Sequence, residues 1–235
     1  MTGKDVEARL RIARDRIGDA QSRAGLSGEV TLVAITKTVS PDRILEAYRA
    51  GQCVFGENRV QEAISKVALL AETAPAPEWH LVGHLQTNKA RVAAERFAMI
   101  QSVDSIKLAH RLQTEAERLS RDVPILLEIN VAGEASKSGF SPEAALPAMD
   151  EIMTCHRLRL MGLMTVAPLV EQAGDARWVF ARMRAMREEL RERFDLSHFD
   201  QLSMGMSDDF EVAVEEGATI VRLGRALFGD RPTSK

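Results

Sequence analysis

Hydrophobic positions along the chain follow two periods, one typical of helices and one typical of buried strands. Near the N-terminus, apolar residues recur at steps of three and four, which predicts an amphipathic helix; they are Val6, Leu10, Ala13, Ile17, Ala20 and Ala24. The β-branched run VTLVAIT then predicts a buried strand that ends just before Lys37. Ser40 and Pro41 follow as an N-cap and a first helical residue, so a helix to about Ala50 is expected.

The alternation of strand and helix continues along the chain. Seven further apolar runs are predicted strands, namely CVFGE, WHLVG, AMIQSV, VPILLEINV, LRLMGLMTV, FDQLSMG and ATIVRLG, which start at Cys53, Trp79, Ala98, Val123, Leu158, Phe199 and Ala218. Helices are expected from near Asn58, Asn88, Ile106 and Ser141, along an apolar stripe from Val179 to Phe194, after a cap at Ser207, and from Arg225. Strands that are apolar throughout indicate a parallel sheet covered on both faces.

Eight strand–helix units in a chain of 235 residues favour a closed barrel. We therefore expect an α/β fold, a single (β/α)8 TIM barrel with an extra N-terminal helix, and one domain over residues 1–235. A doubly wound open sheet is the alternative architecture, but no Gly-rich dinucleotide turn follows the first strand.

Composition argues against several classes of protein. The net charge is −3 with both signs interspersed, which is unlike the basic footprint of a nucleic-acid binder. No apolar run is long enough to span a membrane, and the first residues lack the apolar core of a signal peptide. Cys53 and Cys155 lie far apart, outside any metal-ligand spacing, and are interpreted as reduced thiols of a cytoplasmic protein.

Active residues of such barrels lie at the carboxyl ends of the strands. Here those ends carry Lys37, Glu57, Asn58, Gly83, His84, Ser102, Asn130, Met164, Thr165, Ser203, Gly205, Arg222 and Gly224. Lys37 is the most informative, because an amine that emerges from the barrel floor loses hydration and is available to condense with an aldehyde. On local sequence alone, a lysine that merely starts a loop is the simpler interpretation.

The ends of the seventh and eighth strands favour a phosphate site, because these loops often hold one in barrels. Ser203 offers a hydroxyl, and the glycines of the two ends let backbone N–H groups approach closely. Asp208 and Asp209 would repel an anion from their own helix, so the turn Gly224-Arg225-Ala226 is the better cradle. Ordinary turn chemistry explains the glycines equally well.

Three further polar residues are candidates for the pocket. Arg222 lies in an apolar strand and needs an acceptor if it points inward; a pyridine nitrogen or the carboxylate of Glu128 would serve. His84 and Asn58 are pocket groups or, equally, strand-end caps.

Seven segments, in order along nearly the whole chain, carry a family resemblance. They are AITKTV, FGENRVQE, WHLVGHLQTNK, SKSGF, GLMTVAP, LSMGMSDDFEVAVEEGAT and VRLGRALFG. Together they resemble the YggS/PROSC family of pyridoxal 5′-phosphate (PLP) homeostasis proteins, which is similar to the barrel of alanine racemases without their second domain.

The resemblance implies a PLP site at the barrel mouth. Lys37 would carry PLP as a Schiff base, Ser203, Gly224 and Arg225 would face the phosphate, and Arg222 the pyridine nitrogen. Asn58, His84, Met164 and Met204 would line the pocket. Relatives tend to have a small hydroxyl residue where this chain has Arg225, so either only a backbone contact or a guanidinium contact is expected there.

The function that the resemblance implies is PLP storage or delivery without established catalytic turnover. Arginine at the pyridine nitrogen weakens the ring as an electron sink, and Tyr48 is too far from the mouth to act as a second base. The expected partners are PLP and apo PLP-dependent enzymes, with a monomeric chain and neither nucleic acid nor membrane. An amino-acid racemase and a lysine Schiff-base aldolase without PLP are the alternatives.

Overall fold

The computed structural model describes residues 3–70, 73 and 75–229. Eight parallel strands pair in chain order, and the first strand also pairs with the last, which closes the barrel. The strands are β1 Thr31–Ile35, β2 Val54–Glu57, β3 Glu78–Leu81, β4 Met99–Val103, β5 Val123–Glu128, β6 Leu158–Met164, β7 Gln201–Ser203 and β8 Ile220–Leu223. The predicted (β/α)8 barrel is confirmed.

Helices follow the strands and cover the outside of the barrel. They are α1 Gly3–Ala24, α2 Pro41–Arg49, α3 Val60–Leu70, α4 Ala90–Arg96, α5 Ile106–Arg118, α6 Pro142–Ile152, α7 Arg177–Arg193, α8 Phe210–Glu215 and α9 Arg225–Phe228. The predicted extra N-terminal helix is α1, which packs against α8, α2 and α9. Its apolar stripe is buried as predicted, except that Ala24 is exposed at the helix end.

Each strand divides its side chains between two cores. Along β1, Val33 and Ile35 point into the barrel, where they pack in an inner cluster that includes Met164. Leu32 and Ala34 point outward into the larger core between the strands and the helices. Because successive side chains of a strand point to opposite faces, strands that are apolar at every position are needed to fill both cores.

The starts of some helices differ from the prediction. Ser40 precedes α2 but makes no side-chain cap, whereas the Ser141 hydroxyl accepts a hydrogen bond from the Ala144 N–H at 3.2 Å, as an N-cap should. The helix expected from Asn58 begins at Val60. The helix expected near Asn88 begins at Ala90, after a short 3₁₀ turn.

The predicted cap at Ser207 is wrong. The helix begins at Phe210, with Asp209 in the N-cap position. The Ser207 hydroxyl instead accepts a hydrogen bond from the N–H of Ala226, in the turn that follows β8. The Ser207 hydroxyl therefore makes a tertiary hydrogen bond and does not cap the helix that follows it.

Candidate functional site

Lys37 lies at the carboxyl end of β1, half-buried at the barrel mouth. The backbone on both sides of it is tightly constrained. The N–H of the fully buried Thr36 donates to Gly56 O at 3.0 Å, and its hydroxyl donates to a carboxylate oxygen of Glu57 at 2.5 Å. Thr38 has a φ of +64°, which costs a β-branched residue about 1–2 kcal/mol. Such strain at a strand end is typical of residues that a site holds in a required orientation.

A chain of buried polar side chains crosses the barrel below the mouth. Arg222 donates from Nη1 to the Ser203 hydroxyl at 2.6 Å and from Nη2 to the Thr165 carbonyl at 2.7 Å. The Ser203 hydroxyl donates to Gln101 Oε1 at 2.7 Å, and the Gln101 amide lies 2.9 Å from Nδ1 of His80. Sequence reasoning missed Gln101 and His80, although a polar residue inside each of two apolar runs was the available signal.

Arg222 is 4% exposed and makes no ion pair with any residue that the structure describes. Its two hydrogen-bond acceptors are both neutral. Burial lowers the pKa of this guanidinium to about 10, while the charges of Asp209 and Glu128 act in the opposite direction. Arg222 therefore stays charged at neutral pH, and the direct pairing with Glu128 that we considered does not form.

Glu128, at the end of β5, is a second ionisable group near the mouth and is half-buried. Its Oε2 atom is buried without a hydrogen-bond partner among the described residues. Burial, followed by the negative charge of Asp104, raises its pKa to about 7, against the opposing effects of Arg222 and His84. A carboxyl group in this state exchanges a proton near neutral pH.

His84 connects three loops at the edge of the mouth. Its Nδ1 lies 2.7 Å from a carboxylate oxygen of Asp104 and 3.3 Å from the hydroxyl of Ser138. The side chain is 57% exposed, so the ring is oriented by Asp104 while remaining open to solvent. Asn58 lies half-buried on the neighbouring loop, after β2.

The ends of β7 and β8 contain two glycines with different requirements. Gly205 has a φ of +91°, and a Cβ there would lie 2.6 Å from Ala213 Cβ, so the protein itself requires glycine. Gly224 has a φ of −112°, and a Cβ there would come no closer than 3.5 Å, to Ile35. Neither backbone nor packing demands a glycine at 224, and the turn that it begins is held to the Ser207 hydroxyl through the Ala226 N–H.

The predicted site residues do not all reach the mouth. Met164 lies in the inner cluster, but Met204 packs in the outer core with the helices. Ser203 points inward to Arg222, and the next residue along the strand end, Met204, therefore points outward. The Ser203 hydroxyl is fully buried and is already bonded to Gln101 and Arg222. Arg225 forms an ion pair with Asp208 on the preceding loop.

A membrane-spanning helix and a metal-binding cluster are both absent from the described residues. None of the helices in the described part of the chain is both long and apolar enough to cross a membrane. Within the same residues, no group of three or more His, Cys, Asp or Glu side chains is arranged to hold a metal ion.

The closed parallel barrel and the sequence together define a class of protein, the barrels of the alanine racemase type. The family model for the N-terminal domain of alanine racemase matches residues 13–232. Among curated relatives, a pyridoxal phosphate homeostasis protein of Aquifex aeolicus is 41% identical over 225 residues, which cover 95% of this chain and 97% of the relative. One of Escherichia coli K12 is 39% identical and covers 98% and 99%.

A solved structure of PipY from Synechococcus elongatus, with PLP bound, is 39% identical and superposes with a TM-score of 0.82 over 95% of this chain and all of PipY. Without PLP, the PipY structure superposes with a TM-score of 0.87. The chain belongs to the pyridoxal phosphate homeostasis protein family.

Proposed function

We propose that this protein binds PLP at the barrel mouth and serves in intracellular PLP homeostasis, by holding and delivering the cofactor. The observation that carries the proposal is Arg222, a buried cation just below the mouth whose hydrogen-bond partners are neutral oxygens. A neutral pyridine nitrogen is an acceptor for such a donor, and it needs no counter-charge. PLP bound to the related PipY supports the assignment.

The residues present fit each part of PLP. The Lys37 amine would form the covalent link to the aldehyde, since it lies at the mouth on a fixed stretch of backbone. Ser207 and the turn at Gly224 would take the phosphate, because this is where a hydroxyl and a glycine without a steric requirement lie together. Ser203 would act indirectly, by orienting Arg222.

The remaining candidates would have lesser parts. Asn58, His84 and Met164 would border the ring, whereas Met204 would contribute only through its backbone. Arg225, which pairs with Asp208, would approach the phosphate only if that ion pair opened.

Binding without turnover is the form of the function that these residues support. PLP supplies an electrophilic aldehyde and, when its pyridine nitrogen is protonated, an electron sink. Arg222 would donate to that nitrogen and oppose its protonation. The only tyrosine of the sequence, Tyr48, donates its hydroxyl to Pro75 O at 2.9 Å, outside the mouth. Delivery to apo PLP-dependent enzymes, by a monomer in the cytoplasm, is the corresponding proposal for its partners and location.

The test is the attachment of PLP in the wild-type protein and in Lys37→Ala. We expect the absorbance of lysine-bound PLP in the wild type and its loss in Lys37→Ala. Borohydride reduction followed by peptide mapping should place the pyridoxyl mass on Lys37. Lys137→Ala is the matched control and should load normally, because Lys137 is occupied by an ion pair with Glu134 at 2.6 Å. A pyridoxyl group found mainly on Lys137 or Lys89 would overturn the assignment.

A racemase-like activity is the second candidate, and the His84–Asp104 contact is what favours it. An imidazole oriented by a carboxylate can act as a base at the Cα of an amino acid. We expect no such activity, and the measurement is deuterium exchange at Cα of L- and D-alanine in heavy water. Exchange well above that of free PLP, lost in both Lys37→Ala and His84→Ala, would show that the protein is an enzyme.

A further inference from the structure

A second cavity opens beside the mouth, between the loops that follow β2 and β3. Its volume is about 530 Å³, within the range of sites that hold small molecules. Its polar lining consists of Asn58, Arg59, Gln61, His84, Gln86 and Lys89, and no acidic residue lines it among those the structure describes. We call it the β2–β3 cleft; it shares Asn58 and His84 with the mouth.

The floor of the β2–β3 cleft is set by Gly83, where the two loops touch. A Cβ at this position would lie 2.5 Å from the Asn58 carbonyl oxygen, so any larger residue would force the loops apart. The Ser102 hydroxyl donates to the Gly83 carbonyl at 2.7 Å and holds the second loop from below. The cleft is therefore a fixed concave feature of the fold, bounded by the loops that follow β2 and β3.

Two cations lie in this cleft, one from each loop. Neither Arg59 nor Lys89 forms an ion pair with any residue in the described ranges, although many other arginines of the molecule do. Gln61 and Gln86 add amide donors, and α3 begins at Val60, so its first N–H groups border the same space. Positive charge, amide donors and a helix N-terminus at one concave site are the features that bind oxyanions.

We propose that the β2–β3 cleft is a binding site for the oxyanion of a small organic molecule, either a phosphate ester or a carboxylate. Arg59 and Lys89 would hold the anion from the two sides, and Gln61 and Gln86 would complete its hydrogen bonds. The site goes beyond the PLP function and does not depend on it, since none of these four residues belongs to the proposed PLP contacts. Its position beside the mouth would let an anion bind while the mouth is filled.

The test is an NMR titration of the ¹⁵N-labelled full chain, loaded with PLP so that the phosphate site of the mouth is occupied. Inorganic phosphate and succinate are the two probes, because they present the two oxyanion types. We expect saturable shifts at the amides of residues 58–61 and 83–89. Arg59→Ala and Lys89→Ala should each weaken binding by roughly tenfold or more, the effect of one lost charged hydrogen bond.

Arg91→Ala and Lys107→Ala are matched controls, since both residues are exposed and neither lines the cleft. Unchanged binding in the controls, with a response to phosphate alone, to succinate alone or to both, supports the site and identifies the type of anion. Shifts that do not saturate, or an equal loss in the control variants, would show unspecific charge attraction and overturn the proposal. The absorbance of bound PLP in the same samples reports separately on the PLP function.

Discussion

Glu57 at the end of β2 is a fully buried carboxyl group and Glu128 at the end of β5 is a half-buried one; both lie near the barrel mouth, but their surroundings differ. Glu57 accepts from Lys66 Nζ at 2.5 Å and from the Thr36 hydroxyl, and Lys66 also donates to the Thr36 carbonyl at 2.7 Å. No described residue donates to the carboxyl of Glu128. One oxygen of each carboxylate is buried without a partner. The two groups therefore differ in that the charge of Glu57 is neutralised by Lys66, whereas no described cation contacts Glu128.

The difference distinguishes a cluster that stabilises the fold, around Glu57, from a candidate binding site, around Glu128 and Arg222. The Thr36–Glu57–Lys66 cluster has a cation for its anion, and it fixes the residue that precedes Lys37. Glu128 and the buried cation Arg222 influence each other only at a distance, without direct contact. Buried charges that are left unpaired are costly to stability and are typical of places where function requires them. Four predictions test this distinction, in order of decreasing effect.

Breaking the supporting cluster should have the largest effect on stability. Lys66→Met leaves the Glu57 carboxylate buried without its cation, which should lower the free energy of unfolding by about 3–5 kcal/mol. Urea unfolding measures this change. The double variant Glu57→Gln/Lys66→Met removes both charges and should recover most of the loss.

Lys137→Met is the matched comparison for that prediction. Its partner Glu134 lies 2.6 Å away in a partly exposed pair, so the loss should be at most about 1 kcal/mol. Equal losses for Lys66→Met and Lys137→Met would show that burial of the first pair contributes nothing.

Glu128 should make stability depend on pH. Because its folded pKa of about 7 lies above the ordinary value of 4.5, the folded protein binds more protons than the unfolded chain between these values. Stability should therefore fall as pH rises through this window. Glu128→Gln should remove this dependence and raise the unfolding free energy by about 2 kcal/mol near pH 8, less than the full shift because the group is partly solvated.

Unfolding free energies of the PLP-free protein across pH measure that effect. Glu134→Gln removes a more exposed carboxyl in the next loop and is the control; it should retain the fall in stability between pH 4.5 and 7, because Glu128 is intact in it. Asp104→Asn should move the titration of Glu128 to lower pH, since Asp104 is the neighbouring negative charge that raises its pKa. A profile that is the same in Glu128→Gln and the wild type would contradict the assignment.

Variants of the two serines at and after the end of β7 should distinguish a residue that orients Arg222, Ser203, from one that contacts the phosphate, Ser207. Ser207→Ala should weaken PLP about tenfold, or about 1.4 kcal/mol, and leave pyridoxal, which lacks the phosphate, unaffected. Ser203→Ala should weaken both ligands similarly, because it removes an acceptor from Arg222. Equilibrium binding of the two ligands to each variant decides it, and a phosphate-selective loss in Ser203→Ala would restore the assignment made from sequence.

Arg225 should have the smallest effect. Because its guanidinium pairs with Asp208 at an exposed position, Arg225→Ala should change PLP affinity by less than about twofold. Asp208→Ala provides the contrast, since it removes a carboxylate that competes with the phosphate for this guanidinium and should strengthen PLP relative to pyridoxal. A large phosphate-selective loss in Arg225→Ala would show that the side chain contacts the phosphate directly.

The sequence by itself determined the barrel, the order of its elements and the position of Lys37. These features are local, because each strand shows its burial in a mainly apolar run of five to nine residues and each strand end follows from where that run stops. The capping serine at 141 was predicted for the same reason, since an N-cap needs only residues three positions apart.

Only the tertiary structure decided which polar groups meet. Ser203 and Gln101 are 102 residues apart, and Lys66 reaches Thr36 from another strand–helix unit. From sequence, Ser203 was expected at the phosphate and Ser207 at a helix cap, whereas the closed barrel buries Ser203 against Arg222 and places Ser207 beside the turn after β8. Such contacts depend on which strands become neighbours and on which face each side chain points to, and the periodicity of a single segment contains neither.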